Sequence, residues 1–203
     1  MSLVAGLGLS PETNLHGFVR SSDRTTVLGF GRVDGRLPMR GFQHRDPVGT
    51  FTFELFDPLP SQVPVALSTG AVRMIDQTGV VFERTTGDRA GLAGLAPAGA
   101  TMRGFSLAND GQFAYAYASR LIESGPALYR ESQPLLLVFS LQGPGGALIP
   151  RLVQQINLTQ PVNCRTAPAP QNECGATPHI VVDEFGPNAV VVGRDGMSVA
   201  SLP

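Results

Sequence analysis

Hydrophobic and polar residues alternate with a period of two in one stretch of this chain after another, which is the signature of half-buried β-strands. Residues 48–56 place Phe51, Phe53 and Leu55 on one face and Thr50, Thr52 and Glu54 on the other. Residues 71–75 and 80–84 flank Asp76-Gln77-Thr78-Gly79, a glycine-containing link that predicts a hairpin. Residues 112–120 set Phe113, Tyr115 and Tyr117 against small alanines, so the aromatic stripe faces one way. Residues 135–141 are apolar on both faces, which predicts a central strand covered on both sides or buried in an oligomer contact. Residues 180–185 and 189–192 form a second hairpin about Gly186-Pro187-Asn188, and 197–202 follow the turn Arg194-Asp195-Gly196. Weaker strands are expected at 25–33, 63–68, 101–107 and 148–158.

Helix is scarce. Residues 119–129 could hold one turn, but Gly125-Pro126 interrupts it, and residues 87–99 read as a long surface loop. Gly 24 and Pro 17 are spread along the 203 residues without a fixed period and cut the chain into short segments. Many short strands with no helical interludes predict an all-β fold: an antiparallel β-sandwich or β-barrel with long loops and little helix. The turns Asn109-Asp110-Gly111 and Arg194-Asp195-Gly196 hint at propeller blades, but their spacing does not make a set. The expectation is one β-rich domain over residues 1–203, such as an excised part of a longer protein would also present. A hydrophobic share of 42% against 15% charged is ample for a buried interior.

Charge removes one class of partner. The net charge of −1 and the lack of a basic stripe argue against nucleic acid. All fifteen basic residues are arginine, which fits either codon bias or a preference for guanidinium forks that grip carboxylates and acidic sugars. No run approaches the ~20 apolar residues of a membrane span, so insertion is not expected. Residues 1–10 are apolar but lack a basic n-region and a clear cleavage site.

Cys164 and Cys174 flank a proline-rich loop with no CxxC and no nearby histidine pair, which predicts a local disulfide rather than a metal site. Closing a loop of that length stabilises by roughly 2.5 to 3 kcal/mol in the chain-entropy model, and the bond implies an oxidising environment. Asn157-Leu158-Thr159 is a glycosylation sequon, a pattern short enough to arise by chance.

Catalytic motifs are missing. His16, His44 and His179 are dispersed, and His44-Arg45-Asp46 lacks every other part of a kinase catalytic loop. No GxSxG, HExxH or GxxxxGK occurs, and Gly29-Phe30-Gly31 and Gly143-Pro144-Gly145-Gly146 read as turns. Glu54 with Glu83 could be offered as a glycosidase pair, but nothing supports the choice. Asp183 and Glu184 are adjacent in a strand and so point to opposite faces. No calcium loop is present, and neither a metal nor a cofactor is implied. One local group fits ligand recognition: Tyr115 and Tyr117 on a common strand face, Arg120 near its end, and Arg103 across from them in the preceding strand. Set against this is the plainer reading in which both tyrosines complete the core with their hydroxyls at its rim.

The glycine- and proline-punctuated β plan, the apolar 135–141 strand and the opening Ala5-Gly6-Leu7-Gly8-Leu9-Ser10 resemble the projecting domains of non-enveloped virus surface proteins, such as astrovirus capsid spikes and adenovirus fibre heads. That resemblance implies a recognition module on the virion surface or otherwise extracellular, attaching to a host glycan or receptor protein as a homodimer or homotrimer, without catalysis. Two other expectations stand beside it: a secreted bacterial carbohydrate-binding or adhesin domain, and a hydrolase on a β scaffold with a deep cleft holding convergent carboxylates or a perturbed histidine.

Overall fold

The computed structural model describes residues 13–21, 26–33, 36–45, 50–54, 64–125, 128–164, 167–168, 177–183 and 187–202, with backbone alone for most of the strands before residue 55 and for 167–168. Among these the chain forms antiparallel β-strands with three short 3-10 turns. The all-β expectation with little helix is therefore what the structure shows.

The strands fall into consecutive antiparallel sheets. The first comprises β1 (Thr13–Arg20), β2 (Thr26–Val33), β3 (Arg36–Arg45) and β4 (Thr50–Glu54), paired in sequence order. The second is β5 (Pro64–Leu67), β6 (Arg73–Asp76), β7 (Val80–Glu83) and β8 (Arg89–Gly91), again in order. The third is β9 (Thr101–Leu107), β10 (Phe113–Gly125), β11 (Leu128–Gln142) and β12 (Leu148–Asn157), with the two-residue β13 (Ala167–Pro168) paired to the start of β11. The fourth has three strands, β14 (His179–Val182), β15 (Asn188–Gly193) and β16 (Gly196–Ser201).

Each sheet is a meander, and the first strand of each lies beside the first strand of the next: β1 by β5, β5 by β9, β9 by β14. Sheets that pack face to face in sequence order, with their first strands about a common hub, form an arc of β-propeller blades. The turns at 109–111 and 194–196 belong to this plan: each joins a first or second strand to the next within its own sheet. Blades of such unequal strand length leave no fixed period in the sequence.

Burial follows from this stacking. On one face of the third sheet Phe105, Ala114, Ala116, Leu137, Phe139 and Leu141 pack against Ile75, Val81 and Leu92 of the second. On the other face Tyr115, Tyr117, Leu136 and Val138 meet Ile180, Ala189, Val191 and Ala200 of the fourth. The apolar 135–141 run is thus an interior strand covered on both sides, with odd and even residues in different cores.

Several local expectations are corrected. The 87–99 segment is not only loop: Arg89–Gly91 pairs with β7 as the outer strand of its sheet. Gly29-Phe30-Gly31 lies within β2, not in a turn. Residues 119–129 hold no helical turn, because β10 runs on to Gly125 and β11 begins at Leu128. Strand β1 carries no clean alternation, and the register gives the reason. The β1–β2 ladder slips between Leu15 and Gly17, with His16 the extra residue. A bulge inserts a residue and inverts the facing of all that follow.

Gly104 fixes how the third and fourth sheets meet. Its φ is +69°, and a Cβ there would collide with the Pro178 carbonyl oxygen just before β14. A left-handed backbone and a backbone-to-backbone approach both require glycine. Gly104→Ala is expected to cost at least about 2 kcal/mol, read as a lowered urea midpoint with an unchanged m-value.

Candidate functional site

Because the first strands converge, their ends frame a hub cavity of about 830 Å³. Arg20 and Ser21 come from the end of β1, Val65 to Leu67 from β5, Ser106, Leu107 and Asn109 from β9 and the turn after it. The fourth sheet closes another side with Ile180, Val181, Val182, Asp183, Asn188, Val190 and Val199. A second cavity of about 560 Å³ shares Arg20, Val65, Ser106 and Ile180 with the first and adds Gln77, Phe105, Pro178 and His179. The two cavities adjoin, with Arg20 in the walls of both, and together make the lumen.

Local structure sets these side chains. Ser106, near the end of β9, is buried and lines the lumen. Asp183 closes the β14–β15 hairpin, its N–H donating to the Asn188 carbonyl at 3.0 Å. Strand alternation puts His179, Val181 and Asp183 on one face of β14. Four residues of extended chain span about 13 Å, so the imidazole and the carboxylate sit at opposite ends of that wall and do not form a pair. Sequence reasoning passed over Arg20, Ser106 and Asp183 as lumen residues. None lies in a motif, and only the convergence of separate strands unites them.

The residues singled out from sequence lie elsewhere. Tyr115 and Tyr117 are buried between the third and fourth sheets. Arg103 does lie directly across from Tyr117 in the β9–β10 ladder. It is engaged, however, by Glu131, a carboxylate that the sequence did not bring to notice. Glu131 is buried and accepts from Tyr117 Oη at 2.7 Å, Ser119 Oγ at 2.9 Å, Arg103 Nη1 at 3.1 Å and the Asn163 backbone N–H at 3.1 Å. Four donors saturate both oxygens, which is what a buried charge requires. Arg120 follows Tyr117 by three residues, so strand alternation sets it on the opposite face, with Ala116 and Ala118; the β10–β11 slip beyond Ala118 puts its extra residue in β11, where Gln133 adopts φ +48°. The Arg120 guanidinium donates to the Ala98 carbonyl at 2.7 Å. Both tyrosines are buried, as in the core reading weighed beside recognition, while Arg103 is half-buried and Arg120 exposed.

Cys164 is disulfide-bonded, and the chain's other cysteine, Cys174, lies outside the described residues. So do the side chains of His16, His44 and Glu54, residue Glu184 and the 5–10 segment. Glu83 is bound to Arg73 Nε at 2.6 Å and is not part of the lumen. Among the described residues no group of three or more His, Cys, Asp and Glu could hold a metal ion. No helix there is long and apolar enough to cross a membrane.

No protein-family model matches the chain, and no curated protein matches it. Among solved structures it is similar to a proposed 6-phosphogluconolactonase from Bacteroides uniformis ATCC 8492, at 16% identity over 93% of this chain and 50% of that one, with a TM-score of 0.46. It is also similar to a protein from Lactobacillus plantarum, at 16% identity over 94% of this chain and 56% of that one, with a TM-score of 0.35. The chain spans about half the length of each.

These neighbours are bacterial, one is named as an enzyme, and neither is a viral attachment domain. The expectation of a virion spike or fibre head is corrected accordingly, and with it host attachment, a virion-surface or extracellular location and the absence of catalysis. The physical reason is that glycine and proline punctuation marks any β protein with many turns, so it carried no information about that class.

Two predictions follow the buried node. Burial first, then the Glu131 hydrogen bond and its charge, push the Tyr117 phenol well above its ordinary value of 10.0. Burial and then Asp110 also raise Tyr115. The folded state therefore keeps protons that the unfolded state releases, and stability must fall as pH rises above about 10. Tyr117→Phe is expected to flatten that alkaline slope in denaturant titrations between about pH 9 and 11. Reducing the disulfide at Cys164 is expected to lower stability by about 2.5 to 3 kcal/mol, seen as a shifted urea midpoint with and without dithiothreitol.

Proposed function

We propose that the hub lumen is a substrate site and that the chain acts as a hydrolase on a β scaffold, on a small, anionic, hydroxyl-rich substrate. The observation that carries this reading is the lumen itself: about 830 Å³ in its larger part, mostly apolar in its walls, with polar groups from the first, third and fourth sheets. Arg20 lies in the walls of both cavities and offers a fork for a phosphate or carboxylate. Ser106, Asn109 and Asn188 supply donors and acceptors for hydroxyl groups.

His179 is the group suited to take a proton from water at neutral pH. Water would add to the carbonyl carbon of a cyclic ester as its proton passes to the imidazole; the ring oxygen then leaves with that proton, opening the ring to a hydroxy acid. Paired carboxylates are not the device here, since Asp183 is the one carboxylate among the described residues lining the lumen. A phosphorylated sugar lactone, the substrate class in the name of the Bacteroides uniformis neighbour, belongs to this chemical class and is the first compound to try.

Lactone opening followed by pH-stat is expected to show turnover. His179→Ala should lower kcat by about 10²- to 10⁴-fold, while Arg20→Ala should mainly raise KM. No turnover of any sugar lactone by the wild type, or full activity in His179→Ala, would reject the reading.

A further inference from the structure

A third cavity, of about 410 Å³, opens where the turn after β9 meets the β14–β15 hairpin. It adjoins the lumen, since Asn109 and Asp183 lie in the walls of both. Its chemistry is different. Asp110 and Asp183 stand in its wall with the rings of Phe113 and Tyr115, and most of the remainder is aliphatic. Among the described residues no basic side chain lines it, whereas Arg20 lines the lumen.

Tyr115 marks this cavity as more than a gap in the packing. The residue is only 6% exposed, yet among the described residues its phenol has no hydrogen-bond partner. Tyr117, two residues on and on the same strand face, donates to Glu131 at 2.7 Å. A buried tyrosine hydroxyl normally finds such a partner. Burial, and after it the charge of Asp110, strengthens the hold of the Tyr115 phenol on its proton. The hydroxyl end is therefore turned toward Asp110, in the wall they share. The turn that carries Asp110 is held in place. Asp110 Oδ1 accepts from the Gln112 N–H at 2.8 Å, the Asn109 carbonyl from the Thr69 N–H at 2.7 Å and the Gly111 carbonyl from Arg73 Nη1 at 2.7 Å. A ligand bound there has little left to order.

We propose that this cavity binds a small organic ammonium, a charged nitrogen on an apolar body. Its volume is that of a small-molecule site. An ammonium brings three donors, matching two carboxylates and one phenol oxygen, and the aromatic rings attract it further. The apolar body covers the aliphatic wall. An inorganic cation would leave that wall wet, and calcium or magnesium takes roughly six or more oxygen ligands. Among the described residues no group of three or more His, Cys, Asp and Glu could hold one. An anion would face the two carboxylates with nothing to offset their charge. The site does not rest on the hydrolase reading, and its test involves no lactone.

Calorimetry of the full chain with phenethylamine is expected to give a Kd of about 1 mM or tighter. In carbon-correlated NMR spectra this ligand should move the Tyr115 ring signals, identified by their loss in Tyr115→Phe, and leave the His179 imidazole in place. The neutral alcohol of the same shape, 2-phenylethanol, should bind at least about tenfold more weakly. Asp110→Asn keeps the oxygen that the Gln112 N–H needs and should weaken binding about three- to tenfold. Tyr115→Phe should weaken it about tenfold, with a urea midpoint near that of the wild type. No binding of phenethylamine at about 10 mM, equal binding of the alcohol, shifts at His179 in place of Tyr115, unchanged binding in Asp110→Asn, or tighter binding of a capped lysine tripeptide than of the free amine would each overturn the proposal.

Discussion

A sheet covered on both faces must be apolar on both faces, and this constraint organises the molecule. The third sheet satisfies it through alternate residues of β10 and β11: Ala116 and Leu137 turn to one neighbour, Tyr117 and Leu136 to the other. Small alanines on one side let the second sheet approach closely, while tyrosines fill the wider gap on the other. Removing these contacts from water is the main stabilising term. It amounts to about 25 cal/mol per Å² of apolar surface buried.

Stacking in sequence order has a further result. Twisted sheets that pack face to face diverge outwards and converge inwards, so their first strands meet around a lumen, where the strand ends and turns bring polar side chains together. The lumen needs no motif of its own. Its residues are held by packing that occurs elsewhere, with Gly104 fixing where β14 begins against β9. Tyr117 and Arg103, by contrast, serve a buried carboxylate. Glu131 ties β9, β10 and β11 to the 162–164 segment, which in turn meets the β15–β16 turn through Asn163 Oδ1 and the Arg194 N–H at 3.2 Å.

Legibility differed from one element to the next for physical reasons. Strands with unbroken alternation, such as β10, and the hairpin about Asp76 to Gly79 could be read directly, since period and turn chemistry are local properties. Asp76 even supplies the mechanism, its Oδ1 accepting from the Thr78 N–H at 2.8 Å and the Val80 N–H at 3.1 Å. Strand β1 was hidden by a register slip. The stripe of Tyr115 and Tyr117 was visible as a stripe, but a strand pattern does not say whether a ligand or another sheet covers it. Arg120 does not join them, because an odd step of three residues from Tyr117 turns it to the opposite face of β10.

The amino-acid sequence by itself determined the strands, the near absence of helix and the presence of one strand apolar on both sides, because these depend on each residue's chemistry and its near neighbours. The tertiary structure alone decided that sheets follow one another around a hub, that Arg20, Ser106, His179 and Asp183 line a common lumen, and that Glu131 lies beneath Tyr117. Those are relations between residues distant in the chain, fixed by which faces exclude water together, and no local period encodes them.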